Sequence, residues 1–198
     1  MDDAEISRFW ADARVRGGLN PVESYIGASA SSVVPPPAWS YGSTPQESDR
    51  FVEQVLAGAR TATSSLLSSY EEEAQRQAAL EESRPVEASG DTLVRTAVDV
   101  ALPEPGLLSI VLDGQERPRA LIRTTHVQVA RLGDVDAEHA RREGEHSLES
   151  WRRTVRTTLA AELAEGEVLG DDTRVVLERF VCVVPATARR AARRAGLL

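Results

Sequence analysis

The sequence predicts a mixed α+β fold in which a small barrel or sheet has helices set against it. Three observations carry that expectation. A strongly signalled helix precedes the strands. Three segments read as strands, two of them joined by a hairpin turn. Two further helices separate that hairpin from the last strand, so the order is helix, strands, helices, strand rather than a regular βαβ alternation.

The elements follow in chain order. Residues 3–16 form an amphipathic helix with Ile6, Phe9, Trp10 and Ala13 on one stripe. Residues 17–38 read as a linker, with a Gly-Gly pair, an Ala/Ser run and Pro35-Pro36-Pro37. The folded core is expected to start near Trp39. Thr44-Pro45-Gln46-Glu47 is a capping box with proline at the first helical position, and Phe51, Val52, Val55 and Leu56 form the buried stripe before Gly58 stops the helix. Residues 60–67 read as a short strand or loop, residues 70–82 as a solvated helix, and residues 83–101 as an insertion with weak strand character at 92–100. Leu107 to Leu112, the turn Asp113-Gly114 and Arg119 to Ala130 predict a hairpin. Helices are expected over Asp136 to Glu143 and from Ser147 to Gly166, the second carrying Leu148, Trp151, Val155, Leu159 and Leu163. Thr173 to Val184 is the last strand, with Val175, Leu177, Val181 and Val183 directed to the core. The basic, alanine-rich tail reads as a mobile helix.

Composition narrows the function. The chain has 198 residues, a formal charge of -8, and no lysine, so all 23 basic residues are arginines. Leu, Ile, Val and Phe account for 47 residues, enough for one real core. One cysteine, Cys182, excludes a disulfide framework and a multi-cysteine zinc site, and its apolar strand suits an inert core residue. The acidic start and the short apolar runs point to a soluble, cytoplasmic protein without a membrane partner. Residues 1–120 carry 10 arginines against 19 acidic residues, whereas residues 121–198 carry 13 against 12. That balance excludes an indiscriminate nucleic-acid coater but leaves room for a local arginine-lined cleft.

Common catalytic signatures are missing: there is no G-x-G-x-x-G, no P-loop and no G-x-S-x-G elbow. His139 and His146 lack an HExxH context and read as exposed or helix-end histidines, so neither a metal nor a cofactor is expected.

Two stretches together resemble the ASCH domain, a family with a compact PUA-like β-barrel. WSYGSTP, its following helix and GARTATSSLLSSYEEE (residues 39–73) are similar to the family's G-[KR]-K-T-x-T signature and preceding helix. PGLLSIVLDGQERPRALIRTTHVQV followed by HARREGEHSLESWRR (residues 105–153) resembles its central strands and E-G-E…S-L-E-x-W segment. VVLERFVCV, residues 175–183, resembles the closing strand. The resemblance implies an ASCH (PUA-like) domain over 39–184 with an insertion near 74–101, preceded by a helix and linker (1–38) and followed by a basic tail (185–198).

It also implies a partner: RNA or a nucleotide-like small molecule. In hydrolytic members a lysine, the last threonine of the motif and a later glutamate act together. Those places fall here on Arg60, Thr63 and Glu143. Arginine cannot give up its proton in a protein, so Arg60 could clamp a phosphate or an oxyanion but could not serve as the base, which leaves Glu143. Trp39, Tyr41, Thr61, Ser147 and Arg152 complete the expected ligand set: the two aromatics could stack a base, and Arg152 matches a family arginine. Trp151 suits a core anchor, and Ser147 suits an N-cap as well as a cleft hydroxyl. Gly106-Leu107 and Val155 depart from the family by replacing an acid and a histidine. The expectation is therefore a binding domain, with an RNA or modified-nucleoside hydrolase using Glu143 and Thr63 as one alternative. A small-ligand or protein-interaction sensor is the other.

Overall fold

The computed structural model of the protein describes residues 2–19, 34–82, 101–163 and 167–198. The expected strand character at 92–100 and the expected helix stop at Gly166 lie outside the described residues. The elements run α1 (Asp3–Arg16), β1 (Ala38–Ser40), α2 (Pro45–Leu56), β2 (Ala62–Leu66), α3 (Leu67–Glu82), β3 (Leu108–Leu112), β4 (Pro118–Arg131), α4 (Ala137–Arg142), α5 (Leu148–Ala160), β5 (Arg174–Val184) and α6 (Ala186–Arg194). The strands make one mixed sheet in the order β1-β3-β4-β5-β2. β1 runs parallel to β3, and the other three pairings are antiparallel. Among the described residues β1 and β2 are its two edges and do not pair, so the sheet does not close into the expected barrel. Two register shifts in the β4–β5 ladder, at Leu121/Ile122 and Thr124/His126, bend it sharply instead.

Local chemistry explains the helices. The Thr44 side chain accepts the Glu47 amide, the Glu47 carboxylate accepts the Thr44 amide, and Pro45 occupies the first turn of α2. The Asp2 side chain caps α1, which has acidic residues in its first turn and arginines in its last, as the helix dipole favours. α3 begins at Leu67, three residues before the expected start, because β2 runs directly into it. α5 stops at Ala160, earlier than the apolar stripe suggests; Leu163 packs beyond its end.

Both faces of the sheet are covered. α1 lays Ile6, Trp10 and Ala13 on Ile110, Leu112, Leu121 and Val183, while α4 and α5 bury Ala140, Trp151, Val155 and Leu159 against Leu66, Val175 and Leu177. On the opposite face Phe51, Val52 and Val55 of α2 meet Val111, Ile122, Phe180 and Cys182. Double coverage buries Val176, Phe180 and Cys182 as well as the expected odd-numbered positions of β5, and leaves Val181 only half-buried. Cys182 is the inert core residue its surroundings suggest, with burial pushing its thiol up to about 12. No helix is long and apolar enough to cross a membrane among the described residues.

The basic tail is not a mobile appendage. α6 buries Ala188 and Ala192 and packs on β5 and α2, and Leu197 beyond it is also buried. Gly58 permits that docking. Its φ is +71°, and a Cβ there would sit 2.5 Å from the Ala192 nitrogen and 2.6 Å from the Ala188 oxygen. Gly58→Ala should therefore cost about 2–4 kcal/mol, from left-handed strain plus overpacking against backbone. Urea unfolding measures it, and a loss below about 0.5 kcal/mol, within the scatter of ordinary surface substitutions, would show that α6 does not dock.

Candidate functional site

The chain leaves α2 at Gly58 and enters β2 at Ala62, and Arg60 lies between. Its guanidinium folds inward beneath two aromatic rings, 4.4 Å from the Tyr41 centroid and 4.6 Å from that of Phe51. Nε donates to the Ala62 carbonyl at 3.1 Å, Nη1 to Gln54 Oε1 at 3.4 Å, and Nη2 to Glu143 Oε2 at 2.8 Å. Glu143 closes α4, where Gly144 (φ +82°) lets the chain turn away. Its second oxygen accepts from Ser64 Oγ at 2.5 Å and lies 2.9 Å from His139 Nε2, one helical turn earlier. Arg60 is 7% exposed and Glu143 3%.

Burial by itself would raise the Glu143 carboxyl. The His139 hydrogen bond, the Arg60 and His139 charges and the Ser64 hydroxyl outweigh it and hold the group down to about 2. A carboxylate so engaged is a structural anion. His139, expected to be exposed or at a helix end, is buried; its ring meets Trp151 edge-on at 6.2 Å and stands 3.1 Å from Ser64 Oγ.

In front of this network opens a cleft of about 330 Å³. The bend of the sheet brings its edge strands to opposite walls: Trp39, Tyr41 and Gly42 at the end of β1, and Thr63 to Ser65 on β2. Tyr70 of α3, Leu107, Ser109, Glu162 and Glu178 also line it, with Pro37, Ser40 and Pro103. Phe51 braces the aromatic wall from behind, stacked on Tyr41 at 4.6 Å and tilted against Trp39 at 5.4 Å. The two-residue period of β5 sends Val175 and Leu177 toward α5, and Glu178 to the same face as Phe180. Glu178 pairs with Thr63 across the strands and accepts from Thr124 Oγ1 at 2.6 Å. Burial raises the Glu178 carboxyl despite that bond. It also lifts the Tyr41 and Tyr70 hydroxyls, and partial desolvation of the otherwise exposed Glu162 raises that carboxyl, with help from Glu47.

The expected site residues divide between these two places. Trp39, Tyr41 and Thr63 line the cleft, whereas Arg60 and Glu143 meet each other behind its wall. Thr61 is buried, with its amide on the Arg142 carbonyl at 2.7 Å and its hydroxyl 3.5 Å from the Leu197 carbonyl. Ser147 caps α5 by accepting the Ser150 amide, and Arg152 is exposed with Nη2 3.4 Å from the Gly133 carbonyl. Neither Ser147, Arg152 nor Thr61 borders the cleft. Sequence reasoning missed Ser64, His139, Tyr70, Glu162 and Glu178. Two were within reach: His139 and Glu143 are four apart on a helix, and Glu178 is the lone acid in an apolar strand. No group of three or more potential metal ligands converges among the described residues.

Residues 88–184 match the family model of the ASCH domain. The chain carries an ASCH domain. Two solved structures share its architecture. A DUF984 protein from Enterococcus faecalis V583 aligns over 92% of each chain with a TM-score of 0.62 and 23% identity. An ASCH domain from Lactobacillus crispatus JV V101 aligns over 85% of this chain and 94% of its own, with a TM-score of 0.58 and 21% identity. These likenesses establish the fold. No curated protein matches the chain.

In this ASCH domain the buried pair carries a stability signature. Arg60→Ala should destabilise by about 3–5 kcal/mol, because it strands a buried carboxylate. Glu143 ionises more readily folded than unfolded, so its contribution is complete above its ordinary value of 4.5 and fades as the pH falls toward about 2. Thermal melts of the wild type and Glu143→Gln should therefore converge across that window. A gap that stays constant from pH 6 down to pH 2 would contradict the assignment.

Proposed function

We propose that this ASCH domain binds single-stranded RNA or a nucleotide-like ligand by seating a base in the cleft. The observation that carries this reading is that three aromatic rings, Trp39, Tyr41 and Tyr70, line a pocket large enough for one heterocycle. Aromatic rings offer every base a stacking surface, and hydroxyls such as those of Thr63, Ser65 and Ser109 can read its edge. The presence of an ASCH domain supports an RNA-linked role in general.

Binding fits better than hydrolysis by the expected trio. Arg60 cannot act as a base, and Glu143, held down to about 2 and in contact with Arg60, Ser64 and His139, is a poor proton acceptor near neutrality. Together they fix the end of β2 and the Tyr41 ring, which positions the cleft. One observation favours a hydrolytic second reading: Thr63 faces a carboxyl of raised pKa, Glu178, within the cleft. A hydrolase here would draw its acid–base group from Glu178, not Glu143.

Two measurements separate these readings. Titration with a labelled single-stranded RNA should show binding that Trp39→Ala weakens by about 1–3 kcal/mol, the stacking contribution of one base. The affinity should fall as salt rises, because RNA brings phosphates to the exposed arginines; salt-independent binding would point to a small-ligand or protein sensor instead. Incubation with the same RNA and with acylated cytidine tests turnover. Turnover lost in Glu143→Gln at a temperature where that chain is still folded would overturn the assignment of Glu143 as structural, whereas turnover lost only in Glu178→Gln would establish the hydrolytic reading.

A further inference from the structure

The charge of the cleft is opposite to what a phosphate site requires. Among the described residues lining it there is no arginine or histidine, and the chain has no lysine, while two carboxyl groups, Glu162 and Glu178, face it. The nearest buried positive charge, Arg60, is behind the Tyr41 ring and already neutralised at 2.8 Å by Glu143. Arginines gather elsewhere, in a groove of about 580 Å³ bordered by His126, Arg131, Arg174 and Arg179, where Asp134 and Asp136 also line the walls and Arg131 and Arg179 are ion-paired. Two carboxyl groups with no basic neighbour in the lining disfavour a phosphate there and favour a cation.

We propose that the cleft selects a positively charged heteroaromatic base, held among the rings of Trp39, Tyr41 and Tyr70 and the Glu162 and Glu178 carboxylates. This deepens the base-binding reading above and rests on it. The physical parts are complementary. Electron-rich ring faces attract a delocalised cation, most strongly at tryptophan. Glu178 sits on the pocket floor, half-buried and steadied by Thr124 Oγ1 on one oxygen, so it is preset to receive N–H donors. Glu162, exposed at the rim, adds a second negative charge over the entrance. A neutral base that offers only acceptors along its edge would meet carboxylate oxygens with nothing to donate, so the pocket discriminates by repulsion as well as by attraction.

The test uses the full chain and the fluorescence of Trp39, since Trp10 and Trp151 are buried in the core. The probes are 1-methyladenosine, cationic at neutral pH, adenosine, and adenosine 5′-monophosphate. The expected result is that 1-methyladenosine binds roughly tenfold tighter than adenosine, and that the monophosphate binds no tighter than adenosine. Glu178→Gln, which keeps the shape and the acceptor for Thr124, should shrink the preference to less than about threefold, because it removes the carboxylate charge that favours the cation. Should that chain fail to fold, Glu162→Gln at the exposed rim must narrow the gap instead. Equal affinities for the two nucleosides, tightest binding of the monophosphate, or a preference untouched by the substitutions would overturn the proposal. Binding of RNA with no binding of either nucleoside would sink this proposal alone, and failure of RNA and nucleosides together would sink the base-binding reading as well.

Discussion

The structure turns on the buried contact between Arg60 and Glu143. It joins the entry to β2 with the exit from α4, residues 83 positions apart, and draws in Ser64, His139 and Gln54. A pair this deep is tolerable only when nearly every polar atom finds a partner, because desolvating two charges otherwise costs more than their attraction returns. That condition explains the surrounding detail. Gly144 must turn away so that Glu143 can stay, and a Cβ on it would come within 3.1 Å of the Gln54 amide nitrogen. The guanidinium plane also packs on Tyr41 and Phe51, a surface that a lysine ammonium would not match.

The same contact organises the cleft without being part of it. It anchors β2, so that Thr63 and Ser65 present their hydroxyl-bearing face to the opposite edge of the sheet. It also backs the ring of Tyr41, with Phe51 as the common brace. Because Arg60 is engaged by Glu143, the pocket keeps an acidic lining, and no described arginine borders it. On the proposed reading, base recognition and phosphate contact fall to different parts of the molecule.

Arginine-only composition acquires a physical meaning in this setting. A lysine at position 60 would be a titratable amine beside Glu143, whereas the arginine is a permanent cation with five donors, of which Nε, one Nη1 and one Nη2 are seen in use. Here the arginine links the entry to β2 with the end of α4 behind the cleft wall.

Local signals were legible in the sequence because they depend on neighbours. The capping box of α2, the hairpin turn at Asp113-Gly114, the stripe of α5 and the strand pattern of β4 and β5 all arise from interactions within a few residues. The resemblance of residues 39–183 to ASCH domains carried the fold class and brought Arg60, Thr63 and Glu143 into one frame. What the sequence could not determine is which side of each element meets which partner across the fold. Whether Arg60 points at a ligand or at Glu143, whether α6 docks on Gly58, and whether the sheet closes are decided by packing between elements far apart in sequence. Glu178 joins Trp39 and Tyr41 in one pocket only because the bend of the sheet carries β1 around to face β2, a consequence of tertiary packing that no local spacing encodes.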